Sequence, residues 1–136
     1  MKLSRSLLRN MIISEGLSHQ CKKRNIVVGN TRCSVEIADS EILRNKGLMF
    51  RKSMDEDQGM FFIFPDVSER GFWMKNTHIP LSIAFIDELG CIINIENMTP
   101  YDLNSKYSSH PAKYALEMNA GWFEKNNIYP GDKISI

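Results

Sequence analysis

Ile79-Pro80-Leu81-Ser82-Ile83-Ala84-Phe85-Ile86-Asp87-Glu88-Leu89-Gly90-Cys91-Ile92-Ile93-Asn94-Ile95-Glu96 is the stretch from which the fold class is read. Ile79, Leu81, Ile83 and Phe85 alternate through its first half, so an extended chain places them on one face. Asp87 to Gly90 is polar and ends in glycine, a tight-turn composition, and Cys91 to Glu96 returns as the partner of a hairpin.

Upstream, Met60-Phe61-Phe62-Ile63-Phe64 is aromatic and β-branched, a strand stopped by Pro65, and Gly71 to Lys75 reads as another strand. Ile26 to Val28, the turn pair Gly29-Asn30, and alternating Cys33, Val35 and Ile37 predict a further hairpin. Asp39 or Ser40 can cap a short helix over 40–46 that Gly47 ends, and Asp55-Glu56-Asp57 with Gly59 reads as a solvated loop. Downstream, 99–111 is polar and proline-flanked, a long loop. Lys113 to Met118 is a strand, and Gly121-Trp122 opens a helical turn. Pro130-Gly131-Asp132 turns into a final strand, Ile134 to Ile136. The expected fold is mainly β (β-rich α+β): a curled antiparallel sheet forming a small barrel or sandwich with one or two short helices. No parallel βαβ rhythm is visible, which weighs against a nucleotide-binding α/β fold.

The chain has 136 residues, 43% hydrophobic and 24% charged, the composition of a globular protein with one core. It divides into a basic leader, 1–24, and a single β-rich domain, 25–136. The leader carries Lys2, Arg5, Arg9, Lys22, Lys23 and Arg24 against Glu15 alone, whereas the body is mildly acidic. Polyanion binding needs a basic face, so a mildly acidic body gives no electrostatic reason to expect nucleic acid as a partner. Leu3, Leu7, Leu8, Met11 and Ile12 recur at helical spacing over 3–14, and this segment faintly resembles an organelle transit segment. Its longest apolar run is Met11-Ile12-Ile13, short of the about 7–15 residues of a secretory signal. An extension, or a helix docked on the body, is the plainer reading. No apolar run approaches the roughly 20 residues that span a bilayer, so no transmembrane segment is expected. Cys21, Cys33 and Cys91 form no CxxC pair, which points to reduced, packed thiols and a cytoplasmic setting.

Phosphate-cradling glycine loops, GxSxG elbows and HExxH helices are missing, and His19, His78 and His110 show no two-ligand spacing. Neither a metal nor a cofactor is therefore expected. One segment looks shaped for binding, Gly71-Phe72-Trp73-Met74-Lys75-Asn76-Thr77-His78. In a strand, Trp73 and Lys75 emerge on one face, where indole and ammonium form the floor of a polar pocket with Asn76 and Thr77 orienting a ligand. Equally, Asn76-Thr77 can hydrogen-bond its own turn while Lys75 snorkels over Trp73. Glu117, between Leu116 and Met118, faces opposite to its apolar neighbours. If that face is covered, its carboxylate needs a partner, for which Lys75 or Arg51 is available. The ligand-binding candidates are thus Arg51, Trp73, Lys75, Asn76, Thr77 and Glu117.

Several of the same residues, in order, resemble a known family. Gly47-Leu48-Met49-Phe50-Arg51, Gly59 to Phe64, Phe72-Trp73-Met74-Lys75-Asn76-Thr77 with Ile79-Pro80-Leu81, Leu116 to Gly121, and Gly131-Asp132 look like domain-of-unknown-function family 192. The resemblance covers roughly residues 26–136. It implies a small β-rich barrel or sandwich and no established activity. Many members carry an export or lipoprotein leader. Relatives usually have aspartate where this chain has Ser82; if that aspartate pairs with the Lys75-like position, the pocket here is less acidic. The leading functional expectation is a non-enzymatic binding or accessory domain taking a small polar or anionic ligand near Trp73 and Lys75. An assembly component is the second reading. A small hydrolase using Glu117 as base and Lys75 as anion stabiliser is the third.

Overall fold

The computed structural model describes residues 21–136, so the leader helix expected over 3–14 lies outside the described residues. The strands are β1 (Lys22–Val28), β2 (Thr31–Ala38), β3 (Gln58–Ser68), β4 (Gly71–Phe72), β5 (Leu81–Ile86), β6 (Ile92–Met98), β7 (Lys106–Tyr107), β8 (Ala112–Asn119) and β9 (Ile134–Ser135). Two short helices, α1 (Glu41–Lys46) and α2 (Trp122–Lys125), complete the described elements.

Seven strands form one curled sheet in the order β6-β5-β8-β3-β2-β1-β9. The hairpins anticipated from alternation are present: β1 turns into β2 at Gly29, where φ is 58°, and β5 returns as β6 through Asp87–Gly90. One pairing departs from the antiparallel expectation. β2 and β3 run parallel, Ser34 opposite Gln58 through Ala38 opposite Phe62. The physical reason lies in the connection: α1 and the loop after it carry the chain back along the sheet before β3 begins, the long crossover that parallel neighbours require. Ser40 starts α1, its Oγ accepting from the Leu43 N–H at 3.2 Å, and Gly47 ends it with φ 49°.

The curl brings the two ends of the sheet together. β9 pairs with β1 on one side. On its other side the chain meets the β5–β6 hairpin, where Cys91 bridges Lys133, the Ile92 N–H donates to Asp132 O at 2.9 Å and the Ile134 N–H to Gly90 O at 2.9 Å. The inner face is filled by Ile26, Val28, Val35, Phe61, Leu116 and Met118, with Trp122, Phe123 and Ile128 from the α2 region packed against them.

The outer face is apolar as well, because a second layer covers it. Met60, Phe62, Ile83 and Phe85 of the sheet meet Leu43, Leu48, Met74 and Ile79 of α1 and the connecting segments. This layer explains why all six residues of β5 are buried, where a one-sided sheet would show alternation. Part of the layer is the β4–β7 ribbon, Gly71 opposite Tyr107 and Phe72 opposite Lys106, whose second strand lies in the segment expected to be loop. The strand expected over Gly71 to Lys75 stops at Phe72. Asn76 takes φ 53°, a left-handed conformation asparagine tolerates better than most residues, and the Thr77 N–H donates to Met74 O to close a turn.

Candidate functional site

β8 is a central strand, and its register puts Glu117 directly between Met60 of β3 and Ile83 of β5. Leu116 and Met118 point into the curl, so strand alternation sends Glu117 and Ala115 to the outer face, beneath the covering layer. Only 4% of Glu117 is exposed, and its carboxyl makes no hydrogen bond or ion pair among the described residues. No fully enclosed side-chain nitrogen or oxygen lacks a partner there, and Glu117 lines an open space. Burial among apolar neighbours disfavours the charged form and pushes the Glu117 carboxyl from its ordinary 4.5 up to about 8. At neutral pH the group is mainly a neutral acid, one O–H donor with acceptor capacity remaining.

The open space is a cavity of about 350 Å³ between the outer face of the sheet and its covering layer. Glu117 and Thr77 line it together with Phe62 and Phe64 of β3, Gly71 and Phe72 of β4, and Trp73. The end of α1 and the loop after it supply Arg44, Lys46 and Gly47 to Met49, and the β3–β4 connection supplies Glu69 and Arg70. The aromatic wall is interlocked: Phe72 packs edge-on against Phe62, Phe64 and Phe85 with centroids 4.9, 6.0 and 5.9 Å apart. Two guanidinium groups sit on this wall. Arg70 lies 4.0 Å and Arg44 5.3 Å from the Phe64 centroid. Arg44 donates through Nη1 to Ile63 O at 2.8 Å, and Arg70 donates through Nε to Ala112 O at 3.1 Å and through Nη2 to Asp66 Oδ1 at 2.8 Å. Arg70 in turn holds the exposed Asp66 carboxyl below its ordinary range, chiefly by that hydrogen bond. Both cations are thus held in place while donors of each remain without a partner among the described residues.

Of the residues singled out from sequence, Trp73, Thr77 and Glu117 line the cavity and Arg51, Lys75 and Asn76 do not. The partner expected for Glu117 is supplied by neither cation. Arg51 is engaged by Glu36 in a bidentate pair, Nη2 to Oε1 at 3.0 Å, and that hydrogen bond raises the already high pKa of the guanidinium. Lys75 leans over the Trp73 ring, its Nζ 5.4 Å from the centroid, because the chain turns after Phe72 and the two are no longer on a strand. Asn76 serves the turn, its carbonyl accepting from the Phe50 N–H at 2.8 Å, and Thr77 Oγ1 donates to Lys75 O at 3.0 Å.

Ser82 corrects another expectation. Its hydroxyl donates to Asn97 Oδ1 at 3.0 Å and accepts from the Gly121 N–H at 2.9 Å, on the opposite face of β5 from Ile83 and the cavity. A residue at 82 therefore does not set the acidity of the cavity. Arg44, Lys46, Glu69, Arg70 and Phe64 escaped the sequence reading. They lie on separate elements, and nothing in their spacing announces that the crossover and the β3–β4 connection converge on one strand.

The comparisons agree with this architecture. The model of the DUF192 family, described as uncharacterized ACR, matches residues 24–136. The chain belongs to the DUF192 family. Solved structures similar to this DUF192 chain include one from Sinorhizobium meliloti 1021, described as "a putative transcription regulator". It is 34% identical with a TM-score of 0.83, the alignment covering 85% of this chain and 95% of that one. Another is a protein of unknown function from Novosphingobium aromaticivorans DSM 12444, 35% identical with a TM-score of 0.76, covering 84% and 85%. No curated protein matches this DUF192 chain. Among its described residues no helix is long and apolar enough to cross a membrane, and no three His, Cys, Asp or Glu side chains gather as metal ligands.

Proposed function

We propose that this DUF192 protein is a non-enzymatic domain that binds a small polar or anionic ligand in the cavity above Glu117. The observation that carries the reading is a buried carboxyl, without a partner among the described residues, opening into a 350 Å³ cavity with an aromatic wall. A polar group left so costs stability, and such costs are typically retained where a ligand completes the interaction. Arg44, Lys46 and Arg70 outnumber Glu69 at the same cavity, which favours an anionic ligand over a cationic one. Trp73 and Thr77 belong to this site; Lys75 acts on it through the Trp73 ring, while Arg51 and Asn76 hold the surrounding turns.

The hydrolytic reading has less support, because Lys75 does not share the cavity with Glu117. The one hydroxyl there among the described residues, Thr77 Oγ1, is directed at a backbone carbonyl. The description of the Sinorhizobium relative raises regulation of transcription. Residues 25–136 carry eleven Lys and Arg against fifteen Asp and Glu, a net charge that gives no electrostatic reason to favour DNA as the partner.

The experiment is a thermal-shift screen of small organic acids on the wild-type chain and on Glu117→Leu, with intrinsic fluorescence of Trp73 and Trp122 as a second readout. Compounds that raise the wild-type Tm and perturb tryptophan emission, but raise the Tm of the folded variant by less, are expected. Equal stabilisation of both proteins, or of neither by any compound, would overturn the assignment.

A further inference from the structure

The chemistry of the cavity narrows the class of ligand it can take, provided that the binding role proposed for it holds. The residues facing Glu117 come from every element packed on it. Across the sheet they are Met60 and Ile83, both apolar. From the covering layer, the cavity receives Thr77 and the charged groups Arg44, Lys46, Glu69 and Arg70. Arg44 and Arg70 are held over Phe64 and by backbone oxygens of Ile63 and Ala112, and neither forms an ion pair with the carboxyl. The strand register divides the cavity. Along β3, Met60 lies opposite Glu117, Phe62 follows opposite Ala115, and Phe64 beyond it carries the two guanidinium groups, so the carboxyl and the cationic donors flank the phenyl rings.

We infer that the site takes a small organic anion bearing a second, uncharged oxygen acceptor, with Arg44 and Arg70 holding the anionic group and Glu117 donating its acid proton to the acceptor. The body between the two ends is flat or apolar, to lie along Phe62, Phe64 and Phe72. An amine in place of the anionic group is rejected, because it would meet the cationic side of the cavity, where like charges repel. A purely apolar end in place of the acceptor is rejected less strongly, by loss of one hydrogen bond and by a carboxyl left unpaired. The carboxyl's high pKa is consistent with this role, since the donor form prevails below pH of about 8.

The test uses three probes of one shape: 4-acetylbenzoate, with anion and acceptor; 4-isopropylbenzoate, with the anion but no acceptor; and 4-acetylbenzylamine, with the acceptor but a cation. Binding to the full chain is followed by calorimetry at pH 6.5 and pH 9.5. Wild type should bind 4-acetylbenzoate about fivefold or more tighter than 4-isopropylbenzoate at pH 6.5, and the preference should shrink at pH 9.5. Glu117→Gln, which keeps an N–H donor at every pH, should retain the preference at both. Glu117→Leu should lose it while still binding both benzoates. Arg44→Met should weaken the two benzoates alike and leave their ratio intact. Preference for the amine, or an acceptor preference unchanged in Glu117→Leu, overturns the ligand class while leaving a binding cavity in place. Failure of all three probes to bind at millimolar concentration also overturns it, and the binding role itself then stands or falls on the broader screen.

Discussion

Replacing Glu117 by glutamine should stabilise the protein, and the gain should depend on pH in a way only this carboxyl can produce. In the unfolded chain Glu117 ionises near its ordinary 4.5; in the folded chain it holds its proton to about 8. Between those values the native state binds one proton more than the unfolded state, so stability falls as pH rises, by about 1.4 kcal/mol per pH unit. Below 4.5 the group is neutral in both states and contributes nothing; above 8 the full cost is present. At pH 7, roughly two and a half pH units above the ordinary value, the cost is about 3 kcal/mol. Glutamine has nearly the same shape and no charge to lose. Glu117→Gln should therefore match wild type near pH 4 and exceed it by about 3 kcal/mol at pH 7, a Tm difference of about 10 °C for a chain of this size. Urea titrations of both proteins from about pH 4 to pH 9 measure this directly. Two stability curves that run parallel across that range would refute the reasoning, because they would mean that Glu117 ionises alike in the folded and unfolded chains.

Two further outcomes test the frame around the site. Gly59 lies against β8 so closely that an added Cβ would sit 2.2 Å from Met118 Sδ and 2.3 Å from the Glu117 carbonyl oxygen; Gly59→Ala should cost about 3 kcal/mol or more, seen as a collapse in soluble yield and urea midpoint, and a wild-type midpoint would contradict the packing. Ser82→Ala removes the acceptor of the Gly121 N–H and should cost about 1–2 kcal/mol in chemical denaturation, while leaving ligand-induced shifts untouched because position 82 faces away from the cavity.

Much of the fold was legible because strand periodicity is a local property. Ile79, Leu81, Ile83 and Phe85 alternate, Gly29-Asn30 and Asp87 to Gly90 carry turn chemistry, and Ser40 and Gly47 bracket a helix. The β4 and β7 strands are two residues each, too short for any period to show. The parallel β2–β3 pairing left no trace either, since pairing direction depends on where the crossover returns and not on the residues paired. At the site, Glu117 was identifiable as a charge opposite two apolar neighbours in a strand. Its supposed partners were not, because Arg51 and Lys75 are suitable in type but engaged elsewhere, by Glu36 and Trp73.

What the amino-acid order determined alone is the set of longer strands, their inward and outward faces, the caps and turns, and the presence of one carboxyl that a covered sheet would strand. Tertiary structure decided that the sheet is covered on both faces, that its ends meet at Cys91 and Lys133, and that two arginines from distant segments share the cavity with Glu117. The division has a physical cause. Alternation and turn preference act over a few residues, whereas burial of a charge and the company it keeps are set by which chain segments the sheet brings within a few ångströms of one another.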